Sequence, residues 1–204
     1  MKRAVFLVHG LYMTPLVMAL MERRLQRLGY TTFNFGYRTR HVSGLTLKKM
    51  SEAVNSMEAQ DITLVGHSMG GLLIHYLVAR YRFPHKRLRI VTLGTPYNGS
   101  TIVKQLAKTP LSTPLFGHES TQSLLARGLR EVSKRVPVGV VIGTNNLGVG
   151  KVFGIDDGDG TVATQEAELD WATDEIYFNV THAGLLYSKR VISSIDRFIQ
   201  RDHF

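Results

Sequence analysis

The stretch that decides the fold is Ile62-Thr63-Leu64-Val65-Gly66-His67-Ser68-Met69-Gly70-Gly71. It opens with a short apolar run of strand length, and a helical pattern follows from Met69 onward. Residues Gly66 to Gly70 match the pattern G-x-S-x-G. Between a strand and a helix this pattern predicts a sharp strand–turn–helix elbow with the Ser68 hydroxyl exposed. Because the turn brings the strand and helix backbones together, the residues two before and two after Ser68 must be very small. Gly66 and Gly70 meet that requirement.

The elbow makes Ser68 a candidate nucleophile. The amino end of the helix that follows Ser68 carries a partial positive charge, which favours a developing oxyanion. A serine hydroxyl is a weak nucleophile by itself, so a partner base is needed elsewhere in the chain.

Strand-like and helical patterns alternate on both sides of the elbow. The strand-like runs are Ala4–Val8, Thr31–Phe35, Ile62–Val65, Leu88–Leu93, Val136–Ile142 and Glu175–Val180, and the helical patterns are Pro15–Leu28, Leu45–Met57, Met69–Tyr81 and Tyr187–Gln200. This alternation predicts an α/β fold with a mostly parallel sheet of about six strands and helices on both faces. We expect one domain over residues 1–204, with its functional site at the carboxyl ends of the strands.

Residues 97–135 interrupt the alternation. They are too many for a plain loop in a compact domain, and Pro110 and Pro114 divide them into two short helical pieces. We interpret them as a small helical cap inserted into the domain. Its apolar residues are Leu106, Leu111, Leu115, Phe116, Leu124, Leu125 and Leu129. These side chains either pack the cap against the rest of the domain or line an apolar pocket for an acyl chain, and the two interpretations are compatible.

Five segments together resemble the α/β-hydrolase superfamily, within it the bacterial lipase and esterase branch. They are His9-Gly10-Leu11, Gly66 to Gly71, Leu93-Gly94-Thr95-Pro96-Tyr97-Asn98-Gly99-Ser100, Asp157-Gly158-Asp159-Gly160-Thr161-Val162 and Thr181-His182-Ala183-Gly184-Leu185-Leu186. They follow the family's order over nearly the whole chain. Tyr97 departs from the pattern, since such lipases often have histidine there, and the chain begins at what would be the family's third strand.

The resemblance implies a Ser…Asp…His order of catalytic residues. Of eight histidines, only His182 lies in the loop directly after the last predicted strand, where it can reach Ser68; His75, for example, lies in the helix after Ser68 and is expected to point away from the strand ends. Asp156, Asp157 and Asp159 are the candidate acids. The lipase-like pattern D-G-x-V selects Asp159, which would orient His182. A loose cation site is an alternative use of this loop.

The resemblance also implies the oxyanion hole. One amide would come from Met69 and the other from Leu11, where Gly10 lets the chain turn close to the substrate. For the substrate pocket we expect contributions from Tyr12, Leu115 and Phe116. No metal-ligand cluster, phosphate loop or dinucleotide fingerprint occurs, so no metal or cofactor is expected.

The function implied is a serine hydrolase that cleaves carboxylic esters of small molecules or lipids through an acyl-enzyme. The same machinery would serve an acyltransferase or a thioesterase, and a lipid- or protein-binding module on a retained fold is the non-enzymatic alternative.

Charge and composition bear on partners and location. The chain has no cysteine, which excludes disulfides, thiolate metal sites and a cysteine nucleophile. Residues 1–150 hold 20 Lys and Arg against 6 Asp and Glu, including Arg23, Arg24, Arg27, Arg38 and Arg40. The basic surface either serves solubility or attracts an anionic membrane surface. No nucleic-acid-binding pattern accompanies it. We expect a cytoplasmic location, since no secretory h-region or membrane-spanning run occurs. We also expect a monomer.

Overall fold

The computed structural model describes residues 2–39, 41–106 and 136–204. Six strands form one sheet in the order β2-β1-β3-β4-β5-β6, and every pair of neighbours is parallel. The strands are β1 (Arg3–Val8), β2 (Thr31–Phe35), β3 (Asp61–His67), β4 (Arg87–Leu93), β5 (Val138–Gly143) and β6 (Asp174–Phe178). The predicted α/β fold with a parallel six-stranded sheet is confirmed.

Helices cover both faces of the sheet. They are α1 (Ala19–Arg27), α2 (Gly44–Ser56), α3 (Met69–Arg80), α4 (Thr101–Leu106), α5 (Thr164–Ala167), α6 (Gly184–Tyr187) and α7 (Lys189–Arg201), with 3₁₀ helices at Pro15–Met18 and Val149–Phe153. Among the described residues, none of these helices has the length and apolar character needed to cross a bilayer.

Alternating strand residues build two hydrophobic cores. In β1, Phe6 and Val8 face the core formed with α2 and α3, whereas Val5 and Leu7 face the core formed with α1, α6 and α7. All four side chains are fully buried. The central strands are therefore apolar on both faces, which is why they read as unbroken apolar runs.

The structure differs from the sequence-based prediction at several element ends. The helix predicted over Pro15–Leu28 begins with a 3₁₀ turn, and β5 begins at Val138 because Pro137 has no amide to donate to a ladder. The helix predicted over Tyr187–Gln200 is divided at Ser188, whose backbone is extended and whose Oγ caps α7 by accepting from the Val191 amide. The cap proposed for 97–135 lies outside the described residues from 107 onward.

A charge cluster closes the end of the sheet away from the strands' carboxyl ends. The buried Arg89 guanidinium pairs with Asp61 at the start of β3 and with Asp202 just after α7. Arg3 and Arg87 each pair with one of these two carboxylates, at 3.5 and 3.0 Å. The buried cation thus has two anionic partners, and the pairs fix the end of α7 against β3 and β4.

His75 of α3 lies in a buried aromatic cluster. Its Nε2 is hydrogen-bonded to the Tyr97 hydroxyl (2.8 Å), which is bonded in turn to Thr92 near the carboxyl end of β4. The Trp171 ring meets the His75 ring edge-on at 5.5 Å. The expectation that His75 points away from the strand ends is therefore wrong. Tyr97, the departure from the lipase-like pattern, is the residue that joins α3 to the segment after β4.

Burial gives His75 a consequence for stability. Desolvation lowers the pKa of His75 to about 3 from an ordinary value of 6.5. Between these values the unfolded chain binds one more proton than the folded chain, so the free energy of unfolding falls as the pH falls. We predict that His75→Phe reduces this dependence by up to about 1.4 kcal/mol per pH unit in urea denaturation between pH 5 and 6.5. The matched change at the exposed His85, His85→Phe, should leave the slope unchanged. Equal slopes in the two variants would contradict the assignment.

Candidate active site

Ser68 occupies a strained turn between β3 and α3. Its φ of 54° and ψ of −126° lie where a non-glycine residue is rarely found. Such a conformation costs on the order of 1–3 kcal/mol and persists only where the surroundings impose it. The strand before Ser68 is buried along its whole length, and α3 begins at the next residue. The predicted elbow is therefore present as a local backbone geometry.

Glycines make the elbow sterically possible. A Cβ on Gly66 would lie 2.5 Å from the Gly71 backbone, and a Cβ on Gly70 would lie 2.3 Å from the Val8 carbonyl oxygen. A Cβ on Gly71 would lie 2.1 Å from the Thr95 hydroxyl. All three distances are below any real contact, so each position accepts only glycine without movement of the backbone or a neighbour.

The end of β4 holds the Ser68 backbone on both sides. The Ser68 amide donates to the Leu93 carbonyl (2.8 Å), and the Thr95 hydroxyl donates to the Ser68 carbonyl (3.0 Å). The strained residue therefore has both of its main-chain groups satisfied by the neighbouring strand.

Asp159 and His182 form a buried hydrogen-bonded pair. The distance from His182 Nδ1 to Asp159 Oδ2 is 2.6 Å, and the His182 amide donates to the Asp159 carbonyl (2.8 Å). The second carboxylate oxygen, Oδ1, accepts from the amides of Thr161 and Val162 at 3.0 and 2.8 Å. With Nδ1 bonded to the carboxylate, the other ring nitrogen of His182 is the one available to act as a base.

Two further glycines shape the space around this pair. Gly94 has a φ of +56°, and a Cβ there would lie 2.8 Å from Asp159 Oδ2 and 2.9 Å from His182 Nδ1. A Cβ on Gly143 would lie 2.7 Å from Asp159 Cβ. The ends of β4 and β5 thus approach the acid–base pair as closely as backbone can. Gly94 lies in one of the five segments that resemble the family, but the sequence predicted no role for it in the site.

His67 joins the two halves of the site. Its Nε2 donates to the His182 carbonyl (3.0 Å), and the two imidazole rings lie 4.5 Å apart between centroids. Since Ser68 is the next residue, this contact places the His182 ring beside the elbow. Burial and the neighbouring His182 hold the pKa of His67 well below its usual range. A neutral His67 adds no positive charge beside the His182 ring.

The loop after β1 lies over Ser68. A Cβ on Gly10 would be 3.0 Å from Ser68 Cβ, so Leu11 follows directly at the elbow. Within the described part of the chain, the Leu11 amide has no backbone or side-chain acceptor. The Met69 amide is the first of α3 and thus has no partner within the helix. Both predicted oxyanion-hole amides therefore lie beside Ser68.

The remaining predicted residues divide into described and undescribed ones. Tyr12 is 45% exposed, has a φ of 57° and donates its amide to the Thr39 hydroxyl. Leu115 and Phe116 lie outside the described residues. Of the competing acids, Asp156 and Asp157 are exposed, and only Asp159 bonds to His182.

Residues 4–114 match the family model of the alpha/beta hydrolase fold, slightly more than half of the chain. The chain belongs to the α/β-hydrolase family. This α/β hydrolase has the elbow and the six-stranded parallel sheet that the sequence predicted. No curated protein matches its sequence.

Solved structures of similar shape cover nearly the whole hydrolase. Lipase BlEst2 from Bacillus licheniformis, in its mature form, has a TM-score of 0.72 at 17% identity, covering 100% of this chain and 93% of that one. A lipase-esterase related protein from Clostridium acetobutylicum has a TM-score of 0.63 at 16% identity, covering 96% and 94%. A pyrethroid hydrolase from Sphingobium faniae has a TM-score of 0.59 at 13% identity, covering 98% of each chain. At these identities the likeness concerns the fold.

The elbow generates a stability prediction. Gly70→Ala should lower the free energy of unfolding by at least about 2 kcal/mol, because its Cβ collides with two backbone carbonyls in β1 and the loop after it. Gly44→Ala is the matched control, since a Cβ there meets nothing within 4 Å. It should leave stability unchanged or raise it by up to about 1 kcal/mol. Denaturant unfolding measures both, and equal effects would contradict the steric account.

Proposed function

We propose that this α/β hydrolase cleaves carboxylic esters through an acyl-enzyme formed on Ser68. The observation that carries the proposal is the buried Asp159–His182 pair, with its imidazole packed against the ring of His67 next to a strained Ser68. A nucleophile, an oriented base and two amides beside the elbow are what acyl transfer needs. The fold alone would not support this step, because one fold carries many activities.

In the acylation step Ser68 Oγ attacks the ester carbonyl carbon. His182 accepts the serine proton at Nε2, and Asp159 keeps its hydrogen bond to Nδ1–H and stabilises the imidazolium without taking the proton. The carbonyl oxygen becomes an oxyanion that accepts from the Leu11 and Met69 amides. The tetrahedral adduct then collapses, the C–O bond to the alcohol breaks, and His182 returns its proton to the leaving alcohol.

Deacylation repeats these roles with water. His182 removes a proton from water, the hydroxide attacks the acyl carbon, and the Ser68 oxygen leaves as the hydroxyl after receiving that proton. An alcohol in place of water would give acyl transfer, so the acceptor decides between hydrolase and acyltransferase. The relatives described as a lipase and a pyrethroid hydrolase support esters with apolar parts as substrates.

Turnover of soluble esters tests the proposal. The chain should hydrolyse p-nitrophenyl esters of short and medium acyl length, and Ser68→Ala should abolish turnover while its unfolding curve stays cooperative. The panel should be run with and without a simple alcohol to detect acyl transfer. A Ser68→Ala variant that keeps near-normal hydrolysis would contradict the nucleophile assignment.

The aspartates offer a matched pair of substitutions. Asp159→Asn should lower kcat by several orders of magnitude, on the order of 10⁴ in a comparable triad, because the amide cannot hold His182 in the productive tautomer. Asp157→Asn changes the same charge two residues away on an exposed side chain and should have little effect. The reverse ranking in steady-state kinetics would overturn the choice of acid.

A further inference from the structure

The outer surface of α1 combines exposed leucines with unpaired arginines. Leu16 in the 3₁₀ turn is 80% exposed and Leu20 is 40% exposed, and Arg23 and Arg27 are exposed on the turns that follow. Spacings of four, three and four residues place these side chains along one stripe of the helix. Among the described residues, the packing of this domain leaves Leu16 largely uncovered and Leu20 partly uncovered.

The stripe continues onto the neighbouring helices. Arg24 Nη1 donates to the Tyr187 carbonyl (2.5 Å), which ties α1 to the end of α6. The Tyr187 side chain is 46% exposed, and Lys189 and Arg190 follow it at the exposed start of α7. We call Leu16, Leu20, Arg23, Arg24, Arg27 and Tyr187 the docking face.

The helical elements that carry the docking face, together with α7, hold an excess of positive charge. The 3₁₀ turn, α1, α6 and α7 together hold seven Lys and Arg against two Asp and Glu. The two carboxylates bond to neutral groups: Glu22 accepts from Thr32 and Asn34, and Asp196 accepts from Tyr30. Over the part of the chain that the structure describes, no ion pair involves Arg23, Arg27, Lys189 or Arg190.

The docking face follows two segments of the candidate active site closely along the chain. Its 3₁₀ turn begins at Pro15, shortly after Gly10 and Leu11 beside Ser68, and Tyr187 follows His182 by one short helix. The apolar end of the stripe is thus the end nearest the site along the chain. Arg38 is also exposed, and it precedes Thr39, whose hydroxyl accepts from the Tyr12 amide.

We propose that the docking face binds the surface of an anionic phospholipid bilayer. Arginine guanidinium groups bond to lipid phosphates, while leucine and tyrosine side chains enter the apolar boundary beneath them. The leucines favour a lipid over a nucleic acid, which offers phosphates but no apolar layer. Binding in this orientation brings the carboxyl ends of the strands, where Ser68 lies, close to the membrane, where lipid-dissolved esters are concentrated. That benefit rests on the proposed function, but the binding itself does not.

Vesicle sedimentation tests the proposal without any turnover. The Ser68→Ala chain is mixed with phosphatidylglycerol-containing vesicles and, separately, with pure phosphatidylcholine vesicles. It should sediment with the first at low salt and be released as salt rises past roughly 0.2 M, where the Debye length falls below about 8 Å. Because no ester is cleaved in this experiment, its failure says nothing against the proposed activity.

Matched variants locate the binding surface. The double variant Arg23→Gln/Arg27→Gln should weaken partitioning by on the order of tenfold or more. The control Arg80→Gln/Arg82→Gln removes the same charge at the end of α3, the helix that covers the other face of the sheet. It should change partitioning less than threefold, because charges far from the membrane surface are screened and act only through the net charge of the protein. Leu16→Gln keeps every charge and should also weaken binding severalfold. All three variants should hydrolyse a soluble acetate ester at the parent rate when Ser68 is present.

Three outcomes would overturn the proposal. Equal losses in the two double variants would assign binding to net charge alone. Equal binding to neutral and anionic vesicles would remove the anionic surface as partner. The third outcome is binding to random-sequence duplex DNA and not to vesicles, with the DNA binding lost in Arg23→Gln/Arg27→Gln. That result would assign the docking face to nucleic acid.

Discussion

The close approach of β3 and α3 at Ser68 is the constraint on which the rest of the site depends. Three glycines permit it, and two hydrogen bonds from the end of β4 hold the strained residue in place. The strain is local, but the groups that impose it belong to β1, β3, β4 and α3. The packed parallel sheet therefore imposes the Ser68 conformation. The strain energy of that one residue is offset by the packing of a sheet that is buried on both faces.

The hydrogen-bonded pair of Asp159 and His182 also depends on the sheet, through the end of β4. Asp159 follows β5 and His182 follows β6, yet both lie against Gly94 at the end of β4. His67 then connects the His182 carbonyl to the elbow. Ser68 and His182 are thus linked through the His67 side chain at the carboxyl ends of the strands, while the charge cluster around Arg89 closes the opposite end of the sheet.

Local patterns in the sequence predict the elements whose cause is local. The run into Gly66 and the small residues around Ser68 express short-range requirements, and the structure shows the elbow. The choice of Asp159 came from the resemblance, through the D-G-x-V offset, and the structure shows its contact with His182. Features set by tertiary contact were not predictable in this way. His67 meets the His182 carbonyl across 115 residues of chain, and His75 meets Tyr97 only because α3 packs beside the end of β4. The break at Ser188 did have a local signal, since serine is a favoured helix cap, but the apolar period continued through it.

Trapping the acyl-enzyme tests the central claim most directly. The chain is mixed with an activated p-nitrophenyl ester, quenched in acid during the first turnovers, digested and analysed by mass spectrometry. The account predicts one acyl group per chain on the peptide that contains Ser68, appearing with the first release of nitrophenolate and absent from the Ser68→Ala variant. Release of nitrophenolate with no acyl group on that peptide, or with the acyl group on another residue, would contradict it.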